Sequence, residues 1–341
     1  MVPTHICSCS RCCKHHGLFL YHHYDVLLFC YISKYSHRVA SYFSDITASF
    51  DTMKISNRTF VVSGGSSGLG LATVRDLLQG NAYVAVLDLS SVPSDLIADE
   101  GSSNNIQKRR LLYIKMDVTQ EDQVESAVDR VVEWSKSTGA HLGGVINGAG
   151  IAAAELTINR RGQPHSTRTW DRVLAVNLTG TFHLTRLVAK HLVTVPREYQ
   201  LLQTEGAAGE SKGAEGMEES DGERGVIVMI ASTVAYEGQA GQIAYAASKG
   251  AIRSMTLPMA RDMSRYGVRV VSIAPGPFKT PMTGQFSQSM TSRLEKEAVL
   301  FPKRYGTPEE FAATVRWILE CAYVNGETLK LTGGTRVPTM L

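Results

Sequence analysis

The stretch Thr59-Phe60-Val61-Val62-Ser63-Gly64-Gly65-Ser66-Ser67-Gly68-Leu69-Gly70 decides the fold. It is a short apolar run, then a turn dense in glycine, then the opening of a helical pattern. A continuous apolar run fits a strand buried on both faces of a parallel sheet. Gly64, Gly68 and Gly70 permit a tight turn and a close approach of ligand to backbone. The helix that follows offers free N–H groups and the positive end of its dipole. Such a glycine cluster is informative only between a strand and a helix, and this one lies there. The chemistry it predicts is the binding of a dinucleotide pyrophosphate.

Working outward, the same alternation continues along the chain. Strands are predicted at Thr59–Ser63, Tyr83–Asp88, Leu111–Lys115, Gly144–Asn147, Gly225–Ile230, Val268–Ala274 and Thr328–Leu331. Helical patterns fill Gly68–Gln79, Glu121–Lys136, Trp170–Leu192, Tyr245–Tyr266 and Glu309–Cys321. In the second of these, Val124, Ala127, Val128, Val131 and Val132 recur at helical spacing and form a core stripe. Strands alternating with helices predict an α/β fold, a doubly wound, Rossmann-type parallel sheet of about seven strands in a single domain spanning 53–341. Asp88 closes the second strand, where a carboxylate accepts both adenosine ribose hydroxyls and repels a 2′-phosphate. Ser66, Ser67 and Leu89 bring no cation to offset that repulsion, so NAD is expected over NADP.

A second constellation lies downstream. Tyr245 and Lys249 stand one helical turn apart, at i and i+4 on one face. A phenol titrating near pH 10 is a poor base, and a neighbouring ammonium is expected to lower its pKa. Ser232 ends a strand upstream and can offer a hydroxyl to the reacting oxygen. A Tyr-x-x-x-Lys pair alone is common by chance; its conjunction with the glycine turn is what gives it meaning.

These residues, with Asp117-Val118-Thr119, Asn147-Gly148-Ala149-Gly150, Asn177 and Pro275-Gly276, resemble the short-chain dehydrogenase/reductase family from about Lys54 to Leu341. Within it, Arg172–Phe182, Glu237–Gln242, Leu257–Asp262, Ile273–Phe278 and Asn325–Glu327 resemble the members that oxidise 3-hydroxyacyl-CoA or hydroxysteroids. The resemblance implies that Ser63, Gly64, Ser67, Gly68, Leu69 and Gly70 hold the pyrophosphate. Asp88 and Leu89 would meet the adenosine ribose, and Asp117 and Val118 the adenine. Asn147, Gly148 and Ala149 would line the second ribose, and Pro275, Gly276, Phe278 and Thr280 complete the cofactor set. It further implies Tyr245 as acid/base, Lys249 as its partner and a ribose ligand, and Ser232 as orienter of the substrate oxygen. Asn177 would hold a water on a proton path, and Gln239 and Gln242 would face the substrate. Three positions depart from the family pattern: Ser63 for Thr, Gly148 for a second Asn, and Thr332 for the Asp before Gly333-Gly334.

Composition bounds the alternatives. In 341 residues, 35 Lys+Arg against 32 Asp+Glu and 43% hydrophobic residues exclude a disordered chain or a strongly basic nucleic-acid tail. Of six cysteines only Cys321 lies beyond residue 30, which argues against a disulfide scaffold and for a reducing compartment. Residues 1–52, with their close-set cysteines and histidines, are read as an N-terminal extension outside the mature fold. The crowded cysteines lack the second separated pair of a zinc framework, so no metal is expected. A mitochondrial or cytoplasmic location is expected, with no membrane span.

Residues 197–224 hold eight acids and three bases among five glycines, and are read as a flexible surface insertion. The segment between Pro277 and Pro302, with Phe278, Met282, Phe286, Met290, Leu294, Val299, Leu300 and Phe301, is read as an apolar flap suited to an acyl chain or steroid. Lys279 and Arg304 are candidates for a CoA phosphate. The expected function is NAD-dependent oxidation of a 3-hydroxyacyl-CoA or related hydrophobic alcohol, in fatty-acid metabolism. The expected assembly is a homotetramer packing through the small residues of the Tyr245 helix. The alternatives are a non-catalytic NAD-binding regulator and an RNA-processing partner using Lys108-Arg109-Arg110, although nucleic-acid binding is not expected.

Overall fold

The computed structural model describes residues 55–96, 110–197, 222–285 and 288–336. Seven strands, β1 (Thr59–Ser63), β2 (Tyr83–Asp88), β3 (Leu111–Lys115), β4 (Leu142–Asn147), β5 (Gly225–Ile230), β6 (Val268–Pro275) and β7 (Thr328–Leu331), form one sheet in the order β3-β2-β1-β4-β5-β6-β7. Every pairing is parallel. The chain first builds outward from β1 to β3, then returns to β4 on the other side of β1. That reversal opens a crevice at the carboxyl ends of β1 and β4, where ligands of doubly wound sheets bind.

Each strand's neighbours explain its composition. β1 is buried along its whole length. Val61 faces one side, packing with Val124, Val128 and Val131 of α2 (Glu121–Thr138), with Leu184 and Val188 of the helix at Thr181–Leu192, and with Ile252 of the helix at Ile243–Ser264. Phe60 and Val62 face the other side, with Val74 and Leu77 of α1 (Gly68–Gln79) and with Phe311 and Val315 of the helix at Pro308–Glu320. The period-2 alternation of a strand thus serves two cores, one per sheet face.

The helical sequences carry their own boundaries. α2 begins with Glu121 and Asp122 at the positive end of its dipole and stops at Gly139, whose φ of 70° is the left-handed conformation of a helix terminus. The single helix predicted over Trp170–Leu192 is resolved into α3 (Thr167–Leu174), a π turn (Ala175–Gly180) and α4 (Thr181–Leu192). α5 (Ile243–Ser264) carries Tyr245 and Lys249, α6 (Gln288–Arg293) lies in the segment after β6, and α7 (Pro308–Glu320) starts with a capping box between Thr307 and Glu310.

At the amino edge of the sheet the buried Arg269 guanidinium pairs with Glu223 at 2.7 Å. It also donates to the carbonyls of Ile318, Leu319 and Val324, holding the end of α7. The stretch read as a surface insertion therefore ends inside the fold, since Gly222 and Glu223 are buried. Arg197 and Gly222 are in close contact at its two ends. Residues 1–52 and Lys108-Arg109 lie outside the described residues. Arg110 is occupied, donating to Asn57 and Asn81 and lying over the Tyr83 ring. Among the described residues no cluster of metal-ligating side chains occurs and no helix is long and apolar enough to cross a membrane.

Candidate active site

The residues singled out in the sequence gather at the carboxyl ends of the strands. Ser63 ends β1, and its hydroxyl accepts from the Ala149 amide beyond β4, at 3.3 Å. The Ser-for-Thr departure keeps the hydroxyl that joins the two central strands at the crevice. The three turn glycines are required for different reasons. Gly64 sits at φ 65°, and a Cβ on it would lie 2.6 Å from the Ala149 nitrogen. Gly68 sits at φ 53°, with Thr280 3.5 Å from where its Cβ would be. Gly70 has ordinary backbone angles, but a Cβ on it would strike the Gly64 carbonyl oxygen at 2.1 Å. α1 then begins at Gly68 with Ser67 as N-cap, no side-chain cap and no acid in its first turn. Its leading N–H groups therefore face the crevice without a protein anion.

Asp88, at the end of β2, accepts from the Ser66 amide on one carboxylate oxygen and from the Ser90 amide on the other, both at 3.0 Å. These bonds tie the acid to the glycine turn and fix its orientation. Leu89 beside it is exposed. Asp117 takes both the amide and the hydroxyl of Thr119. Val118 is buried against Gly180 of the π turn, where a Cβ would approach it to 2.7 Å. Asn147 donates to Thr185 and to the Val228 carbonyl, and its buried Oδ1 has no hydrogen-bond partner among the described residues. Gly148 is forced, because a Cβ there would meet the Ser63 carbonyl at 2.6 Å. The uncapped helix, the glycine cradle, the oriented Asp88 and the unpartnered Asn147 oxygen fit a nicotinamide dinucleotide.

The second constellation is continuous with the first. A Cβ on Gly150 would lie 3.4 Å from Asn177 Oδ1 and 3.6 Å from Lys249 Nζ, so the turn after β4 touches the catalytic candidates directly. Asn177 is fully buried in the π turn. Its side chain accepts from the Ile151 amide, donates to the Ile151 carbonyl, and donates to Ser248. It fixes the backbone after β4 against α5. Lys249 Nζ donates to the Ile230 carbonyl at the end of β5, at 2.6 Å, and lies 5.8 Å from the centre of the Tyr245 ring. Ser232, buried two residues beyond β5, lies near enough to the Tyr245 phenol to favour its ionised form.

The electrostatics correct one expectation. Tyr245 is partly exposed, yet its surroundings are dense enough that burial raises the phenol pKa, and the nearby Ser232 hydroxyl pulls it only partly back. Burial lowers the Lys249 ammonium to about 8. The cost of desolvating each charge outweighs their mutual attraction across this distance. Near neutrality the pair rests as phenol and ammonium.

Other candidates separate. Phe278 is buried in the core against Phe311 and Gly306, so only its backbone can face the crevice. Thr280 lies over Gly68, and its amide donates to Thr283, which also holds the Phe278 carbonyl. Pro275 and Gly276 end β6, the Gly276 amide donating to Leu331. Thr332 accepts from the Gly334 amide, so it serves as the turn residue in place of an acid. Gln239 and Gln242 lie in the loop before α5, and Gln242 Oε1 is buried without a partner among the described residues. Arg304 is committed to a two-point pair with Glu310 and is not free for a phosphate. In the segment read as an apolar flap, Leu294, Ala298 and Val299 are buried, while Met282, Leu300 and Phe301 are exposed. The sequence reading missed the Ile230 carbonyl, Thr283 and the Glu155 amide that ties the segment after β4 to the Gly241 carbonyl. Backbone acceptors leave no trace in a sequence; Thr283 was legible only as a hydroxyl near Thr280.

Comparison with known proteins agrees with this geometry. A family profile described as Enoyl-(Acyl carrier protein) reductase matches residues 64–336. The 3-hydroxyacyl-CoA dehydrogenase type-2 of Homo sapiens is 38% identical over 278 residues, covering 81% of this chain and 94% of that protein. The protein of the same name from Drosophila melanogaster is 36% identical over 284 residues, covering 83% and 99%. A crystal structure of 3-hydroxyacyl-CoA dehydrogenase type-2 from Mycobacterium avium superposes with a TM-score of 0.66 at 32% identity, covering 84% of this chain and all of that one. With its sheet order, glycine turn and Ser-Tyr-Lys cluster, the chain belongs to the short-chain dehydrogenase/reductase family of oxidoreductases.

Proposed function

We propose that the protein is an NAD-dependent dehydrogenase that interconverts 3-hydroxyacyl-CoA and 3-oxoacyl-CoA. The observation that carries this reading is the convergence of Ser232, Tyr245 and Lys249 beside the turn at Asn147–Gly150, in a chain that matches enzymes of that name along nearly their whole length. Asp88, held in orientation by two backbone amides, supports NAD over NADP, since a carboxylate there accepts the ribose hydroxyls and repels a 2′-phosphate.

NAD, when bound, would accept the carbinol hydride. The protein supplies position and proton transfer. Ser232 donates a hydrogen bond to the substrate oxygen and orients it toward Tyr245. In oxidation the Tyr245 phenolate takes the hydroxyl proton; in reduction the phenol returns it. The raised phenol pKa makes the resting site ready for reduction near neutrality, and oxidation should accelerate as pH rises. Lys249, anchored on Ile230, stabilises the phenolate when it forms and offers its remaining protons to the ribose. Asn177 keeps the Ile151 backbone and Ser248 in register, which fixes the floor on which both reactants stand.

The reading carries a homotetramer, supported by Ile243 and Leu257 exposed on α5 and Phe182 exposed on α4. It carries a mitochondrial or cytoplasmic location, where acyl-CoA is oxidised, and residues 1–52 as an extension to the dehydrogenase domain. NADH formation measured across 3-hydroxyacyl-CoA, hydroxysteroid and simple secondary-alcohol substrates tests it. Turnover is expected first with the thioester; a preference for simple alcohols over every acyl-CoA would overturn it.

A further inference from the structure

Two adjacent side chains tie the start of α5 to the rest of the crevice. Lys249 Nζ donates to the Ile230 carbonyl at the end of β5, at 2.6 Å. The Ser248 hydroxyl donates to the Tyr245 carbonyl at 2.8 Å and accepts from the Asn177 side-chain amide at 3.1 Å. Ser248 and Asn177 are both fully buried. Gln242, the N-cap of α5, makes no side-chain cap bond, so the turn that carries Tyr245 takes no side-chain hold from its own beginning.

The Asn177 side chain spends its other groups on a single residue. Its oxygen accepts from the Ile151 amide at 2.8 Å, and one of its N–H groups donates to the Ile151 carbonyl at 2.9 Å. The remaining N–H goes to Ser248. Ile151 directly follows Gly150, the end of the turn that would line the nicotinamide-side ribose. A continuous run of hydrogen bonds therefore leads from that turn, through Asn177 and Ser248, to the backbone of Tyr245 itself. A serine inside a helix gains little by bonding its own backbone. Here its oxygen is also the acceptor that a buried Asn177 N–H requires, and an alanine in its place would leave that donor unpaired.

We propose that Ser248 is a positioning residue for the reaction: acting through Asn177, it sets the separation between the phenol on α5 that takes the proton and the turn after β4 that seats the hydride acceptor. The inference rests on the proposed dehydrogenase reading. Proton and hydride leave the same carbinol, so both acceptors must be within reach of it together. A misplacement of about 1 Å in such an element costs on the order of 100-fold in rate. Lys249 still anchors α5 to β5 when Ser248 is replaced, so the turn carrying Tyr245 can shift while the helix stays folded.

The test compares the full chain with its Ser248→Ala and Thr256→Val variants. Thr256→Val removes a second buried hydroxyl from the same helix, one bonded to Ile252 and Ser272 and not to Asn177. Fluorescence titration counts the NADH sites, and single-turnover NADH formation is measured per site in H2O and D2O, with a 3-hydroxyacyl-CoA and with a simple secondary alcohol. In Ser248→Ala the rate per site should fall by about ten- to a hundredfold while NADH affinity and KM are kept, and the solvent isotope effect should rise as proton transfer slows. Thr256→Val should lose stability and keep its rate per site. A Ser248→Ala rate close to native, an equal fall in both variants, or a slower rate with an unchanged solvent isotope effect would overturn the proposal. If the native protein oxidises only the simple alcohol and Ser248→Ala slows that reaction, the positioning role stands and the thioester reading fails. Thioester turnover indifferent to Ser248 would do the reverse, and a native protein inert towards both substrates would overturn both.

Discussion

The glycine turn permits a prediction in which steric overlap and backbone strain separate at single positions. Gly70→Ala places a methyl 2.1 Å from the Gly64 carbonyl oxygen and 2.8 Å from its carbon, both rigid backbone atoms. Carbon–carbon contacts settle at about 3.5–4.0 Å, so the turn must move by about 1 Å to admit the methyl. Gly68→Ala meets only ordinary contact with Thr280, at 3.5 Å, and its cost is the left-handed φ of 53°, about 1–2 kcal/mol. The two variants should therefore diverge in function more than in stability. A displacement of about 1 Å in a positioning element costs on the order of 100-fold in activity, and NADH affinity should fall steeply in Gly70→Ala. Gly68→Ala should lose stability, roughly 2–4 °C in Tm per kcal/mol, while binding NADH much more tightly than Gly70→Ala. NADH fluorescence titration and thermal unfolding of both proteins measure this. Native NADH affinity in Gly70→Ala would refute the argument that the turn's shape, and not merely its glycine content, makes the site.

Three further predictions follow from other parts of the molecule. Arg269→Met removes the guanidinium from buried Glu223 and from three carbonyls at the end of α7, and should cost about 3–5 kcal/mol in urea unfolding; a loss under 1 kcal/mol would contradict the reading of that cluster. Lys249 titrates near 8 folded against 10.5 unfolded, so between those values the unfolded chain holds the extra proton and stability from this group rises with pH. The stability of the native protein relative to Lys249→Met should climb between pH 8 and 10.5, by on the order of 3 kcal/mol, and a flat difference would place the ammonium in solvent. Asp88→Ala should reduce the preference for NAD over NADP by at least about tenfold in kcat/KM, and an unchanged ratio would remove Asp88 from ribose recognition.

The fold was legible because strand burial on both faces produces continuous apolar runs, and five of the seven predicted strands have the predicted bounds. The π turn at Ala175–Gly180 was not legible, since one extra residue in a helical turn barely alters apolar spacing. The Ser63–Gly70 turn, Asn177, Ser232, Tyr245 and Lys249 could be picked out as candidates because the chemistry proposed for them depends on residue type at fixed spacing, and the structure brings them to one crevice. The pKa of Tyr245 was read with the wrong sign: sequence shows that an ammonium is a helical turn away, but not how much water each group loses. The segment between Pro277 and Pro302, read as an apolar flap, buries Leu294 and Val299 and exposes Met282, Leu300 and Phe301, while residues 286 and 287 lie outside the described residues.

The central claim is that the Tyr245 phenol moves the substrate proton beside the cofactor. Single-turnover NADH formation from a 3-hydroxyacyl-CoA by Tyr245→Phe, with NADH affinity measured on the same preparation, tests it most directly. The rate should fall by about 10²–10⁴-fold while NADH still binds; a rate within a few-fold of the native protein would contradict the account.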